Sequence, residues 1–394
     1  MKVLKFWHDL PSANQINVCV ITPPSIGKSA QLDLSNFIKI LQPLSDEIFV
    51  ITGDAPKNKF GAKIHVMNVK PHHGENNLLV RLFHHTLTQL RISKALIKVS
   101  KSIDVVIFHS GGQNLVLPTL LARLLGKKIS VSIMGSTSES VRHSSGLLPN
   151  FMAKTARMLE YFCCTFAHQV MVESESVVRF SKLERYGRKI AVNGAIYIDT
   201  DNFKIKKDLK DRRNLIGYIG RLAPVKGVTK FAKAIPLILK ERNDLEFLIG
   251  GDGPQFEEIR NELENNGSCD KVELTSWISH DELQNYLNEL KLIILPSYTE
   301  GLPGIVLEAM ACGTVVLATP VGGVPDLIKD GETGFIMENN SPECIAKNVI
   351  RALEHPNLED IVKNARKLIE DEYSYEAMVR KCKIALDKLM ERKS

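Results

Sequence analysis

The chain has 394 residues, 44% of them hydrophobic, enough for two domains with proper cores, and no apolar run approaches the length of a membrane span. Its formal net charge of +6 is unevenly shared: residues 1–203 carry 24 Lys+Arg against 14 Asp+Glu, and residues 204–394 carry 27 against 31. A basic first half suits an anionic membrane surface or an acidic substrate, and the sequence holds no recognisable nucleic-acid module. The N-terminus lacks a signal peptide's basic, apolar and small-residue succession, so the expected location is the cytoplasm, with peripheral contact at the inner face of the membrane as an added expectation. Seven Cys without metal-ligand spacing read as reduced core residues.

The first β-rich run, 16–22, ends in a loop containing Gly27-Lys28-Ser29 that leads into an amphipathic helix. This is not a phosphate-binding P-loop, because the pattern needs a glycine at position 22, which is Thr. Strand-like runs follow at 48–51, 64–69, 105–108, 129–133 and 170–172, separated by helical patterns. Strands alternating with helices predict parallel sheets covered on both faces, with ligands bound beyond the carboxyl ends of the strands. His109 and Ser110-Gly111-Gly112 close one strand; Met134-Gly135-Ser136 closes the next. No acidic residue occurs between Glu75 and Asp104, whereas Arg81, Arg91, Lys94, Lys98 and Lys101 do. The basic amphipathic stretch 78–101 is therefore either a helix packed on the sheet or one that also lies on an anionic membrane. Asp199 and Asp201 mimic a metal-binding pair but sit in a connection where Asp favours turns, and the charged run 204–213 reads as solvated.

In the second half, the strand 215–219 delivers Gly220-Arg221 and, after Pro224, Lys226-Gly227. Arg's planar fork and Lys's compact charge suit a diphosphate. Strand 247–249 ends in Gly250-Gly251-Asp252-Gly253-Pro254, strand 272–275 leads to Trp277-Ile278, and Ser279 with Glu282 forms a capping box. The densest signal is 295–313: a buried strand, then Glu300-Gly301-Leu302-Pro303-Gly304-Ile305, then a helix carrying Glu308. A glycine-permitted turn into a helix N-terminus makes an anion site from backbone N–H groups and the dipole. Glu300 and Glu308 flank that site, and neither has an obvious cation partner nearby in sequence.

Glu300 and Glu308 with Ala-Met-Ala-Cys-Gly after them, Val321-Gly322-Gly323-Val324-Pro325-Asp326, Gly220-Arg221 with Lys226-Gly227, and the 250–254 glycine run together resemble the retaining glycosyltransferases of family 4. The match runs from about residue 193 to the C-terminus. The resemblance implies an α/β GT-B architecture: two Rossmann-like doubly wound domains facing a deep cleft. Residues 1–200 would bind the acceptor, 201–375 the nucleotide-sugar, and a helix in 376–394 would cross back onto the first domain. It implies a sugar moved from a nucleoside-diphosphate sugar, UDP-sugars being the commonest donors, to a hydroxyl of a glycan, lipid-linked or small-molecule acceptor. No cofactor or metal would be required. Arg221 and Lys226 would neutralise the diphosphate together with the amides of Gly301, Leu302, Gly304 and Ile305 around Pro303. Glu300 would hold the sugar, Glu308 the ribose, Trp277 and Ile278 the base, with Gly251 behind them and Gly27 and Gly135 across the cleft. Many relatives place a His where this chain has Met134, so either His109 or His143 covers that role or the chemistry proceeds without it. Two other readings fit the same residues: an epimerase of nucleotide-sugars, which needs no acceptor, and a nucleotide-sugar sensor without activity.

Overall fold

The computed structural model describes residues 16–24, 27–53, 61–70, 78–136 and 149–392; His143 lies outside them. The first half alternates β1 (Val18–Ile21), α1 (Lys28–Leu41), β2 (Ile48–Thr52), β3 (Ile64–Asn68), α2 (Leu78–Val99), β4 (Val105–Phe108), α3 (Val116–Leu124), β5 (Lys128–Ile133), α4 (Pro149–Phe166), β6 (Gln169–Val172), α5 (Glu175–Phe180) and β7 (Ile190–Val192). These strands form one parallel sheet in the order β3-β2-β1-β4-β5-β6-β7. Every residue of β1, β4 and β6 is buried, which is why they read as unbroken apolar runs rather than alternating ones. Sequence reasoning missed β7. It is a three-residue edge strand, too short for any periodicity to show.

The second half alternates β8 (Leu215–Ile219), α6 (Val228–Glu241), β9 (Glu246–Gly250), α7 (Phe256–Asn265), β10 (Val272–Thr275), α8 (His280–Glu289), β11 (Leu292–Leu295), α9 (Gly304–Ala311), β12 (Val315–Ala318), α10 (Val324–Leu327) and β13 (Phe335–Ile336). Helices α11 (Pro342–Leu353), α12 (Leu358–Glu372) and α13 (Tyr375–Glu391) follow. Its parallel sheet has the order β10-β9-β8-β11-β12-β13. In both sheets the order reverses beside the first strand, so the carboxyl ends of β1 with β4, and of β8 with β11, open onto crevices where doubly wound sheets bind ligands. The GT-B architecture is thus present: two such domains with their strand ends toward each other.

Helix α13 ties the domains together. Its Met378, Cys382, Leu386 and Leu389 are buried in a core cluster shared with α1 and the second domain. Tyr375 Oη donates to the Lys39 carbonyl (3.1 Å), and Gln169 Nε2 donates to the Ala385 carbonyl (2.8 Å).

The charged run 204–213 is not wholly solvated. Arg212 is buried, and its guanidinium donates to the carbonyls of Leu290 (2.8 Å) and Cys312 (2.6 Å) and to Thr314 Oγ1 (3.1 Å). Arg366 donates to the Ala311 carbonyl (2.6 Å). Two cations therefore cap the carboxyl end of α9, satisfying its last carbonyls and reinforcing the positive potential at its opposite end.

Candidate functional site: a cation and helix-tip cleft at the second switch point

The site is built from the carboxyl ends of β8 and β11. After β8, one tight turn (Pro224–Lys226) ends at Gly227, whose φ of 67° is a left-handed conformation and whose Cβ position would lie 2.1 Å from the Pro296 carbonyl oxygen. Only glycine lets the two strand ends meet there. Tyr298 N–H donates to the Val225 carbonyl (2.9 Å), and Asn340 Nδ2 donates to that of Pro296 (2.9 Å), which fixes the contact. In consequence Lys226 Nζ lies 2.7 Å from each oxygen of Glu300, and Ser297 Oγ donates to Glu300 Oε1 at 2.6 Å. Glu300 is buried.

The two acids have no cation partner nearby in sequence, and each finds one from a remote segment. Glu300 pairs with Lys226, 74 positions away in the chain, and Glu308 pairs with His280 Nε2 at 2.9 Å. Both partners arrive from other elements, which sequence spacing does not reveal. Glu308 belongs to α9, and His280 is the first residue of α8.

The amides at the tip of α9 are fewer than expected. Leu302 N–H donates to Glu173 Oε2 of the first domain (2.9 Å), so it is not available for a phosphate in this arrangement. Pro303 has no N–H. The N–H groups of Gly304 and Ile305 remain, with no partner among the described residues. Glu173 is buried, and burial first of all, with Asp33 nearby adding to it, pushes its carboxyl up to about 8, so it holds its proton at neutral pH. Asp33 is itself pushed up by burial to about 6.

Around this contact the two domains meet backbone to backbone. A Cβ on Gly301 would lie 1.7 Å from the Met134 carbonyl oxygen, and one on Gly135 would lie 3.2 Å from Gly301 Cα. Beside them Ser176 N–H and Oγ donate to Asp326 at 2.7 and 2.6 Å. Glu173, Ser176 and Asp326 were not named as site residues; Asp326 closes the 321–326 motif, whereas Glu173 and Ser176 are marked in sequence only by following β6.

The remaining expected residues divide. Arg221 is exposed, and its guanidinium has no ion pair among the described residues. Burial holds the Tyr218 hydroxyl well above its ordinary value, Glu300 raising it further and Arg221 lowering it; both side chains therefore act on one point at the end of β8. Gly251 lets β9 approach β8, since a Cβ there would lie 1.9 Å from the Gly220 carbonyl oxygen. Ile278 packs over Gly250, and Trp277 is 63% exposed at the end of β10. Gly27 is exposed at the start of α1.

His109 is not at the cleft surface. It is fully buried, stacked on Phe37 with ring centroids 4.6 Å apart, and neither nitrogen has a hydrogen-bond partner among the described residues. Burial drives its pKa down to about 3, so it stays neutral and sealed from a substrate's proton. The catalytic role expected of it has no geometric support. Met134 receives a contact from Ser110 Oγ, 3.3 Å from its sulfur. Asp199 accepts from the N–H groups of Asp201 and Asn202 (3.1 and 3.2 Å), closing a turn. Among the described residues, no group of three His, Cys, Asp or Glu is placed to hold a metal ion.

The His280 and Glu308 pair has a pH signature. The hydrogen bond that the His280 ring donates to Glu308 raises the imidazole's pKa, while burial raises that of Glu308. A His pKa raised on folding stabilises the fold fully below its ordinary value and loses that contribution as pH rises through the raised value. Titration of the His280 ring signals by NMR is expected to give a midpoint above 6.5, and Glu308→Gln is expected to bring it down. An unchanged midpoint in Glu308→Gln would show that the pair does not form.

A crevice of cations, helix-tip amides and paired carboxylates between two doubly wound domains defines a GT-B protein. HepE of Anabaena, solved in complex with UDP, superposes with a TM-score of 0.72 at 16% identity, over 95% of this chain and 100% of that one. Residues 199–368, within the second domain, match the family model described as "Glycosyl transferases group 1". Among relatives, the alpha-D-kanosaminyltransferase of Streptomyces kanamyceticus is 28% identical over 272 residues, 66% of this chain and 70% of that protein. The GPI3 subunit of the phosphatidylinositol N-acetylglucosaminyltransferase of Saccharomyces cerevisiae is 28% identical over 170 residues, 41% of this chain and 37% of that protein.

Proposed function

We propose that the protein is a retaining glycosyltransferase that moves a hexosyl or N-acetylhexosaminyl unit from a nucleoside-diphosphate sugar, a UDP-sugar foremost, to an acceptor hydroxyl of a lipid-linked glycan or other cell-envelope glycoconjugate. The observation that carries the reading is the meeting of Lys226, Glu300 and the α9 tip at the second switch point. The kinship with a kanosaminyltransferase and the likeness to a UDP-bound structure support the donor class.

Breaking the bond to the anomeric carbon leaves negative charge on the departing diphosphate, and fixed positive potential around it lowers the barrier. Arg221, Lys226 and the N–H groups of Gly304 and Ile305 supply that potential without a metal. Lys226 is shared: it orients Glu300 toward the sugar hydroxyls while a remaining N–H reaches the phosphate. Glu308 takes the ribose hydroxyls, with His280 holding its carboxylate in place. Since His109 is sealed, the acceptor proton goes to an oxygen of the leaving phosphate on the same face of the sugar, which retains the anomeric configuration. Domain contact through Gly301 and Gly135 excludes water from the donor. The cytoplasm suits seven cysteines that are all free thiols.

The test is a thermal-shift panel of nucleotide-sugars followed by an assay of nucleoside diphosphate release with and without acceptor. A UDP-sugar is expected to raise Tm most, and release is expected to depend on acceptor. Conversion of the donor alone would support an epimerase instead, and binding without release a sensor.

A further inference from the structure

We propose that Glu173 is a positioning residue that holds the two domains shut as an uncharged acid, so that closing the cleft takes up a proton. Glu173 follows β6 of the first domain, and its Oε2 accepts from Leu302 N–H of the second (2.9 Å). A Cβ on Gly301 would lie 2.9 Å from the same oxygen, so backbone of the second domain is what covers it. Only 5% of the residue is exposed. The other oxygen, Oε1, is sealed as well and has no hydrogen-bond partner among the described residues. A carboxylate needs donors at both oxygens to offset the water it loses, and a single amide leaves half of it bare; the neutral acid requires far less. Parting the domains returns the group to water, where it ionises at its ordinary value. The side chain thus prefers a different charge in each arrangement, which makes domain closure a proton-linked equilibrium.

The surroundings reinforce the neutral form. Asp33 on α1, itself pushed up by burial to about 6, adds to the burial that pushes Glu173 up to about 8. Tyr373, at the end of α12, is held well above its ordinary value by burial first and then by Asp326, Glu372 and Glu173. Cys382 on α13, hydrogen-bonded to Asn193, is pushed up by burial to about 12. Both of these groups keep their protons near neutrality. Asp326 on α10 has its two oxygens taken by Ser176, and Glu175 at the start of α5 is exposed. Met134 and Gly135, after β5, bring no charge. Lys226 is held by both oxygens of Glu300, and no cation pairs with Glu173 or Asp33 among the described residues. Burial on closing raises the carboxyl, so the closed arrangement is favoured in full below the ordinary value of about 4.3 and loses that advantage as pH climbs through about 8. Above about pH 6 Asp33 is mostly ionised, so from there to 8 the slope is that of Glu173.

Small-angle scattering of the full chain without ligand, from pH 6 to 8, tests the linkage. The closed-to-open ratio is expected to fall about tenfold per pH unit, read as a radius of gyration that grows with pH. Glu173→Gln keeps an acceptor for Leu302 N–H and cannot ionise, so it is expected to stay compact across the range. Glu173→Ala has no acceptor and is expected to be expanded throughout. The proposal is overturned if the radius of the unmodified chain does not change with pH, if Glu173→Gln shows the same change, or if Glu173→Ala stays as compact as Glu173→Gln. Calorimetry of UDP-glucose binding at pH 7, in two buffers of different ionisation enthalpy, adds the coupling to donor, and this arm alone rests on the sugar-transfer reading. The unmodified chain is expected to take up about one proton and Glu173→Gln none; equal uptake in both would overturn the assignment to Glu173. Absence of UDP-glucose binding would count against the sugar-transfer reading and leave the scattering result standing.

Discussion

Lys226→Ala is expected to lower acceptor-dependent turnover by about 10²–10³-fold, the range seen when one donor to a developing negative charge is removed, and also to weaken the fold. The second effect follows from the geometry: both oxygens of Glu300 lie 2.7 Å from Nζ, and removing one partner of a largely buried pair strands the other charge. A fully buried pair broken this way costs about 3–5 kcal/mol; Lys226's side chain is 24% exposed, so a loss of about 2 kcal/mol is expected. Adding Glu300→Gln should recover most of the stability and none of the turnover, because the uncompensated carboxylate is gone but the phosphate cation is still missing. Arg221→Ala, at an exposed position, should lower turnover with stability changed by no more than about 0.5 kcal/mol. Denaturant unfolding and nucleoside diphosphate release measure the two axes. Near-normal turnover in Lys226→Ala would remove the diphosphate clamp from the mechanism.

Gly301→Ala is expected to abolish productive closure while leaving both domains folded. Gly301 is not among the left-handed residues, so alanine suits its backbone. The obstacle is across the cleft: the new methyl would lie 1.7 Å from the Met134 carbonyl oxygen and 2.9 Å from Glu173 Oε2. The first domain must back away by more than an ångström, which also breaks the Leu302 N–H to Glu173 bond. Misplacement of that size is expected to lower turnover about 10²-fold or more, with Tm nearly unchanged. Small-angle scattering should show a larger radius of gyration than the unmodified chain. Gly187→Ala, whose methyl would meet nothing within 4 Å, is the control that should change neither. Full activity in Gly301→Ala would mean that this domain contact is not the productive one.

The alternation of strands and helices was legible because the central strands are buried on both faces and the helices carry apolar stripes. β7 was not, being short and at an edge. The glycines at 227, 251 and 301 stood out in sequence, but their reason did not: each is held by a carbonyl from a distant segment. His109 shows the limit most clearly. A His at the end of β4 beside two glycines reads as a substrate contact, yet α1 lays Phe37 over it.

Local order alone determined the doubly wound class, the helix tip at 304 and the two acids that flank it, because periodicity, turn chemistry and motif spacing are properties of neighbouring residues. Only the tertiary structure decided that Lys226 neutralises Glu300, that Glu308 leans on His280, that Glu173 takes the Leu302 amide, and that His109 is sealed. Those outcomes depend on which side chains from remote segments converge and how much water they exclude, and burial and pairing are properties of the folded whole.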